Sequence, residues 1–175
     1  MYRILRSVDL DFSHHVRGHS GACINLHGHT WKFEVELSAE QLDEHGFVID
    51  FGELEREVLL PCHELLDHSF ACGAATFSET SAELAELGQR LLSSRRSPTA
   101  SDRPQLSLAG ARLAYPGGLK VAVFPFNPTS ERLAQWLWAL ANERFATDRV
   151  RVHSARVYET LHPVVSLAQY SQPTR

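Results

Sequence analysis

"HHVRGHSGACINLHGHTWKFEVEL", residues 14–37, changes character at Trp31. From Trp31 onward Trp31, Phe33, Val35 and Leu37 alternate with Lys32, Glu34 and Glu36, the period of two expected of a half-buried strand. Before it lie His14, His15, His19, His27 and His29, together with Cys23. Residues 2–12, "YRILRSVDLDF", alternate as well and read as a strand. The histidine-rich segment is therefore a connection between two strands, able to gather imidazoles from both strand ends around one point.

Outward from there, "DEHGF" (43–47) reads as a turn and "VID" leads into a helix over about 52–65, with Leu54, Val58 and Leu65 as its apolar stripe. Pro61 is expected to bend or shorten it. From Ser78 to Leu92 an N-cap serine and Leu84, Leu87 and Leu91 at helical spacing predict a short amphipathic helix. "SSRRSPTASDRPQ" (93–105) is an exposed loop by composition. "LKVAVFPF" (119–126) is an apolar run of strand length. Next comes a helix capped by Asn127 or Thr129 that buries Leu133, Trp136, Leu137 and Leu140. A final alternating strand covers about 149–159. The order β-β-α-(α)-β-α-β predicts an α+β domain, with helices packed on one face of a mainly antiparallel sheet.

With 175 residues, 43% of them hydrophobic and 22% charged, the chain has the composition of one folded domain. A net charge of −4 without a clustered basic face argues against nucleic acid as a partner, although Arg95 and Arg96 could meet an acidic group. The N-terminus lacks the apolar run of a signal peptide or membrane helix, so a cytoplasmic protein with no membrane partner is expected. The three cysteines do not suggest a disulfide framework, and Cys62 and Cys72 read as small buried apolar residues.

His27 and His29 flank Gly28, so on extended backbone both side chains point the same way, within reach of one ion. His14 or His15 at the preceding strand end is the candidate third ligand. Three imidazoles with an open fourth position are the ligand set of a catalytic zinc. Two other readings stay open. The histidines could be solvated and metal-free, or Cys23 could be a fourth ligand that closes a structural site.

"CINLHGH" (23–29) after "FSHHV" (12–16), "LDH" (66–68), "NPTSE" (127–131) and "YET" (158–160) together resemble the 6-pyruvoyltetrahydropterin and 6-carboxytetrahydropterin synthase family, with the motifs in the family's order. The resemblance implies the tunnelling fold, in which antiparallel sheets from several subunits close into a barrel. It implies a homo-oligomer, trimer or hexamer, with active sites at subunit interfaces. A Zn2+ is then held by His14, His27 and His29, and the substrate is a pterin triphosphate, 7,8-dihydroneopterin triphosphate. By position Cys23 matches the catalytic cysteine, and Asp67 and His68 match an Asp-His pair that completes a proton-transfer set with it across a subunit interface. Thr129 and Glu131 fall on the stretch lining the pterin pocket. Glu159 matches the carboxylate that anchors the pterin ring through two N–H groups, an arrangement that would offset the cost of burying it.

Residue by residue, plainer readings stand beside these: Asp67 and His68 as a solvated helix end, Thr129 and Glu131 as N-cap and first-turn acid, Glu159 as a strand charge. The three residues between Cys23 and His27 resemble the spacing of the bacterial enzymes of queuosine (7-deazaguanine) synthesis. That implies 6-carboxy-5,6,7,8-tetrahydropterin synthase, a carbon-carbon lyase releasing acetaldehyde and triphosphate. The alternatives are a 6-pyruvoyltetrahydropterin synthase, a non-catalytic zinc or pterin-binding module, or a zinc hydrolase. The whole chain, 1–175, is read as one domain with a family-atypical insertion at about 71–118, and the tail after Glu159 is longer than the family pattern.

Overall fold

A computed structural model of the chain describes residues 1–92, 103–160 and 165–172. Arg95, Arg96 and most of the Ser/Pro/Arg loop lie outside the described residues. The chain divides into two compact units, one made of residues 1–10, 29–64 and 129–175, the other of 11–28 and 65–128. Strands β1 (Tyr2–His14) and β2 (His27–Ala39) both run through the two.

In the first unit β2 pairs antiparallel with β7 (Val150–Thr160), which pairs antiparallel with β8 (Ser166–Tyr170). Trp31, Phe33, Val35 and Leu37 are fully buried, as their alternation predicts. The opposite face departs from expectation, because Glu34 and Glu36 are also buried, 8% and 7% exposed. Burying two carboxylates is tolerable only when they are paired. Arg156 of β7 supplies the partner, donating at 2.6 Å to Glu34 and 2.7 Å to Glu36, and the Ser154 hydroxyl donates to Glu36 at 3.2 Å. Glu34 stands directly across the ladder from Arg156. Burial alone would raise the Glu36 carboxyl, but Arg156, with His153 and Ser154, outweighs it and holds the group below its ordinary range.

Helix α4 (Ser130–Phe145) packs on β7 and β8 through Leu133, Ala134, Trp136, Leu137, Leu140, Ala141 and Phe145. Its N-cap is Thr129, whose hydroxyl accepts from the Arg132 amide; Asn127 is used elsewhere. Residues 43–47 form the expected turn, with Asp43 accepting from the amides of His45 and Phe47. The helix expected at 52–65 runs as α1 (Phe51–Leu54), a π turn (Glu55–Leu59) and α2 (Leu60–Leu66). It is not shortened at Pro61: the turn before the proline widens, the Leu60 amide donating to Glu55, so the helix carries a proline without an ordinary α-turn ahead of it. Asp50, not foreseen as a cap, accepts from the Gly52 and Glu53 amides.

The second unit adds two parallel pairings to the mainly antiparallel sheet. Strand β3 (Phe70–Gly73) runs parallel to β1, with Ala71 beside His14, and parallel to β6 (Val121–Phe124). Strands β4 (Ser107–Leu108) and β5 (Ala111–Ala114) add antiparallel edges. The sheet is mixed because β1 and β3, and β3 and β6, are joined by long connections containing helices, which is what parallel neighbours require.

Helix α3 (Ala74–Leu92) starts four residues before Ser78, which lies inside it and is no cap. Its packed face also differs from the leucine stripe. Phe77 and Leu84 pack on Cys72, Val121 and Val123, whereas Leu87 and Leu91 are 47% and 61% exposed. Gly88 is buried against the turn Pro116–Gly118, where a Cβ would lie 2.8 Å from the carbonyl oxygens of Pro116 and Gly117.

Candidate metal and pterin site

His14 ends β1, fully buried, held in register by the parallel pairing with Ala71. Its Nδ1 lies 2.9 Å from the Pro128 carbonyl. His27 opens β2, with Nδ1 2.8 Å from the Asn25 carbonyl. A carbonyl oxygen only accepts, so each Nδ1 carries the proton and each neutral ring has its lone pair on Nε2. This backbone anchoring is the usual way a ligating imidazole is oriented. The two rings are 4.5 Å apart, centroid to centroid.

Two residues along the same strand face, His29 has Nε2 3.7 Å from Oε1 of Glu159 on β7. The other carboxylate oxygen of Glu159 accepts from the Ser130 hydroxyl at 3.0 Å. One ligand atom from each of His14, His27, His29 and Glu159 lies within 4.8 Å of the other three. Three imidazoles and one carboxylate at that spacing suit a divalent transition metal, and the donor set is borderline-hard, as zinc accepts.

His15 is engaged differently. Its Nε2 is 3.1 Å from the Thr76 hydroxyl of α3, and its pKa is lowered, first by burial and then by His14, against the opposing effect of a hydrogen bond with the Ile24 backbone. Cys23 sits half-buried in a short turn, Ala22–Ile24, its carbonyl accepting from the Val16 amide at 2.8 Å. Burial pushes the Cys62 thiol far above its ordinary value and the Cys72 thiol up to about 11, so neither is a nucleophile near neutral pH, as their reading as apolar residues implies.

Asp67 and His68 follow the end of α2. His68 Nδ1 is 2.7 Å from Asp67 Oδ2, and the histidine side chain is 82% exposed. His68 has a φ of 56°, the left-handed region, which costs a residue with a Cβ about 1–2 kcal/mol. The backbone is pinned there by His68 N–H to the Asp11 carbonyl (2.7 Å), Asp11 N–H to Asp67 Oδ1 (3.0 Å) and Lys120 Nζ to the Asp67 carbonyl (2.6 Å). The strain orients an exposed imidazole. Thr129 is taken up in capping α4, and Glu131 is exposed on its first turn.

Ser130 and the carbonyls of Asn25 and Pro128 belong to this arrangement and were not legible in advance. Only proximity in space reveals a hydroxyl or carbonyl as an orienting group. Pro128 lies in the Asn-Pro-Thr motif, which hinted at importance without naming the atom.

Residues 3–170 match the family model described as 6-pyruvoyl tetrahydropterin synthase. A relative named 6-carboxy-5,6,7,8-tetrahydropterin synthase from Haemophilus influenzae is 27% identical over 163 residues, covering 91% of this chain and 94% of the relative. One of the same name from Rickettsia bellii is 28% identical over 102 residues, 58% of this chain and 74% of that one. Among solved structures, an uncharacterized protein from Wolinella succinogenes superposes with a TM-score of 0.70 at 23% identity, covering 98% of both chains. The 6-pyruvoyl tetrahydropterin synthase of Caenorhabditis elegans gives 0.55 at 14% identity, with 98% and 96% covered. The tunnelling fold of these neighbours is the fold of this chain, and the chain belongs to the 6-pyruvoyl tetrahydropterin synthase family.

Proposed function

We propose that this protein is a 6-carboxy-5,6,7,8-tetrahydropterin synthase, converting 7,8-dihydroneopterin triphosphate and water to the 6-carboxy product with release of acetaldehyde and triphosphate. The observation that carries the reading is the gathering of His14, His27 and His29 with the Glu159 carboxylate beside them, ligand atoms all within 4.8 Å, with the His14 and His27 rings fixed by backbone carbonyls so that Nε2 is the free donor atom. The names of the relatives support the carboxy product over the pyruvoyl one.

In this reading His14, His27 and His29 hold Zn2+, and His14 takes the third place because His15 is engaged with Thr76. Bound zinc supplies Lewis-acid polarisation of the substrate's side-chain oxygens. Cys23 removes a proton from the adjacent side-chain carbon as general base. His68, held by Asp67, shuttles the second proton. Glu159 receives the planar N–H pair of the pterin ring, its carboxylate steadied by Ser130. Thr129 and Glu131 flank it at the start of α4. The exposed His68 fits a site completed by a neighbouring subunit in a trimer or hexamer. The protein works in the cytoplasm, in 7-deazaguanine (queuosine) synthesis.

The test is incubation of zinc-loaded protein with 7,8-dihydroneopterin triphosphate, following acetaldehyde and the pterin mass. Acetaldehyde with 6-carboxytetrahydropterin supports the proposal. A 6-pyruvoyl product would move the reaction to the family's other branch, and zinc binding without turnover would leave a binding module.

A further inference from the structure

Between the Leu-Asp-His and Asn-Pro-Thr motifs the chain spends, among the described residues, α3 and four short strands on a stretch to which neither the motifs nor the metal donors assign a role. Yet the first turns of α3 hold the segment leading into the Cys23 loop at consecutive points. The Thr76 hydroxyl, 7% exposed, meets His15 Nε2 at 3.1 Å. Three residues on, along the same helix face, Glu79 takes the Arg17 guanidinium in a two-pronged pair, 2.6 and 2.9 Å. The periods match, because residues three apart share a helix face and residues two apart share one side of an extended chain. A third tie comes from Asn127, whose Nδ2 donates to the Arg17 carbonyl at 3.1 Å.

What these ties hold is a loop with little ladder of its own. Between the anchored residues, the Val16 amide donates to the Cys23 carbonyl at 2.8 Å, closing the loop at its neck. Directly after Arg17 the chain reverses at Gly18, with a φ of +79°, so the Arg17 tie fixes where the reversal begins. Exposed ion pairs add little to global stability. One that fixes a loop bearing a reactive group acts through the loop's order instead.

We propose that α3 is a brace for the Cys23 loop, with Thr76 and Glu79 as positioning residues acting through His15 and Arg17. For its catalytic consequence this rests on Cys23 as the proton-transferring thiol; for the ordering of the loop it does not.

The experiment measures amide hydrogen exchange and steady-state kinetics in the full-length protein, for Glu79→Gln, Thr76→Val and the charge swap Arg17→Glu with Glu79→Arg. Glu79→Gln and Thr76→Val are expected to speed exchange over residues 16–26 about fivefold. Exchange over residues 71–73 and 121–124 should stay unchanged. The same two variants are expected to lower kcat about fivefold with KM within twofold of the parent, and the swap to restore both readouts to within twofold. Unchanged loop exchange in both single variants overturns the brace, and so does a rise spread equally over residues 71–73 and 121–124. Because exchange needs no substrate, a parent protein inactive on the pterin but showing the expected loop pattern would remove the proposed function and leave the brace.

Discussion

At His14 and His27 a backbone carbonyl decides which nitrogen can bind a metal, so the two rings are committed before any ion arrives. His15, one step along the chain, is committed to Thr76 instead. His14→Ala is therefore expected to lose bound zinc, and His15→Ala to retain it, when metal content is measured after gel filtration. Retention of a full equivalent by His14→Ala would remove that residue from the ligand set. Cys23→Ala is expected to keep one zinc per chain while turnover falls at least about 100-fold, the scale of a lost acid-base group. Loss of the metal in that variant would instead make Cys23 a fourth ligand. The H-x-H pair and the cysteine four positions ahead of it stood out in the sequence because residue type and spacing are local properties. The choice between His14 and His15 was not legible, since both end the same strand and only the neighbour across β3 and α3 tells them apart.

Among the elements, β2 is buried on both faces, and the Glu34–Arg156–Glu36 ladder is the condition for that burial. The Glu36 carboxyl titrates below its ordinary value in the fold, so its contribution to stability is complete above about pH 4.3, the unfolded value, and is lost as pH falls through the folded one. Urea unfolding followed from pH 7 to pH 3 should show a steeper loss of stability below about pH 4 in the parent than in Glu36→Gln; parallel curves would mean the ladder adds nothing. Helix α3 offers a second check. Gly88→Ala pushes a methyl to 2.8 Å from two backbone oxygens, and the expected cost is about 1–3 kcal/mol in urea unfolding. A neutral result would show that the Pro116–Gly118 turn yields. The register of α4 was readable from its apolar spacing, and its cap was narrowed to two candidates. The face of α3 was misjudged because leucine spacing marks an apolar stripe without saying which part of it finds a partner.

For the molecule as a whole, the proposed oligomer can be tested at His68, which is exposed and held at a left-handed φ. If the proton-transfer set is shared between chains, mixing two inactive variants, Cys23→Ala and His68→Ala, under conditions that exchange subunits should recover activity. Random assembly leaves some interfaces with both groups intact. No recovery, with mixed oligomers demonstrated by native mass spectrometry, would place the whole set within one chain. The same mass measurement distinguishes trimer from hexamer.

The sequence by itself determined the α+β class, the two strands joined by a histidine-rich connection, the buried face of α4 and the candidate donors His27 and His29. All of these depend on side-chain period or on residues close together along the chain. The tertiary structure alone decided the parallel pairing of β1, β3 and β6, the burial of Glu34 and Glu36 against Arg156, and the grouping of Glu159 with three histidines more than a hundred residues away. Those contacts join distant segments, and no local pattern encodes which segment will lie alongside which.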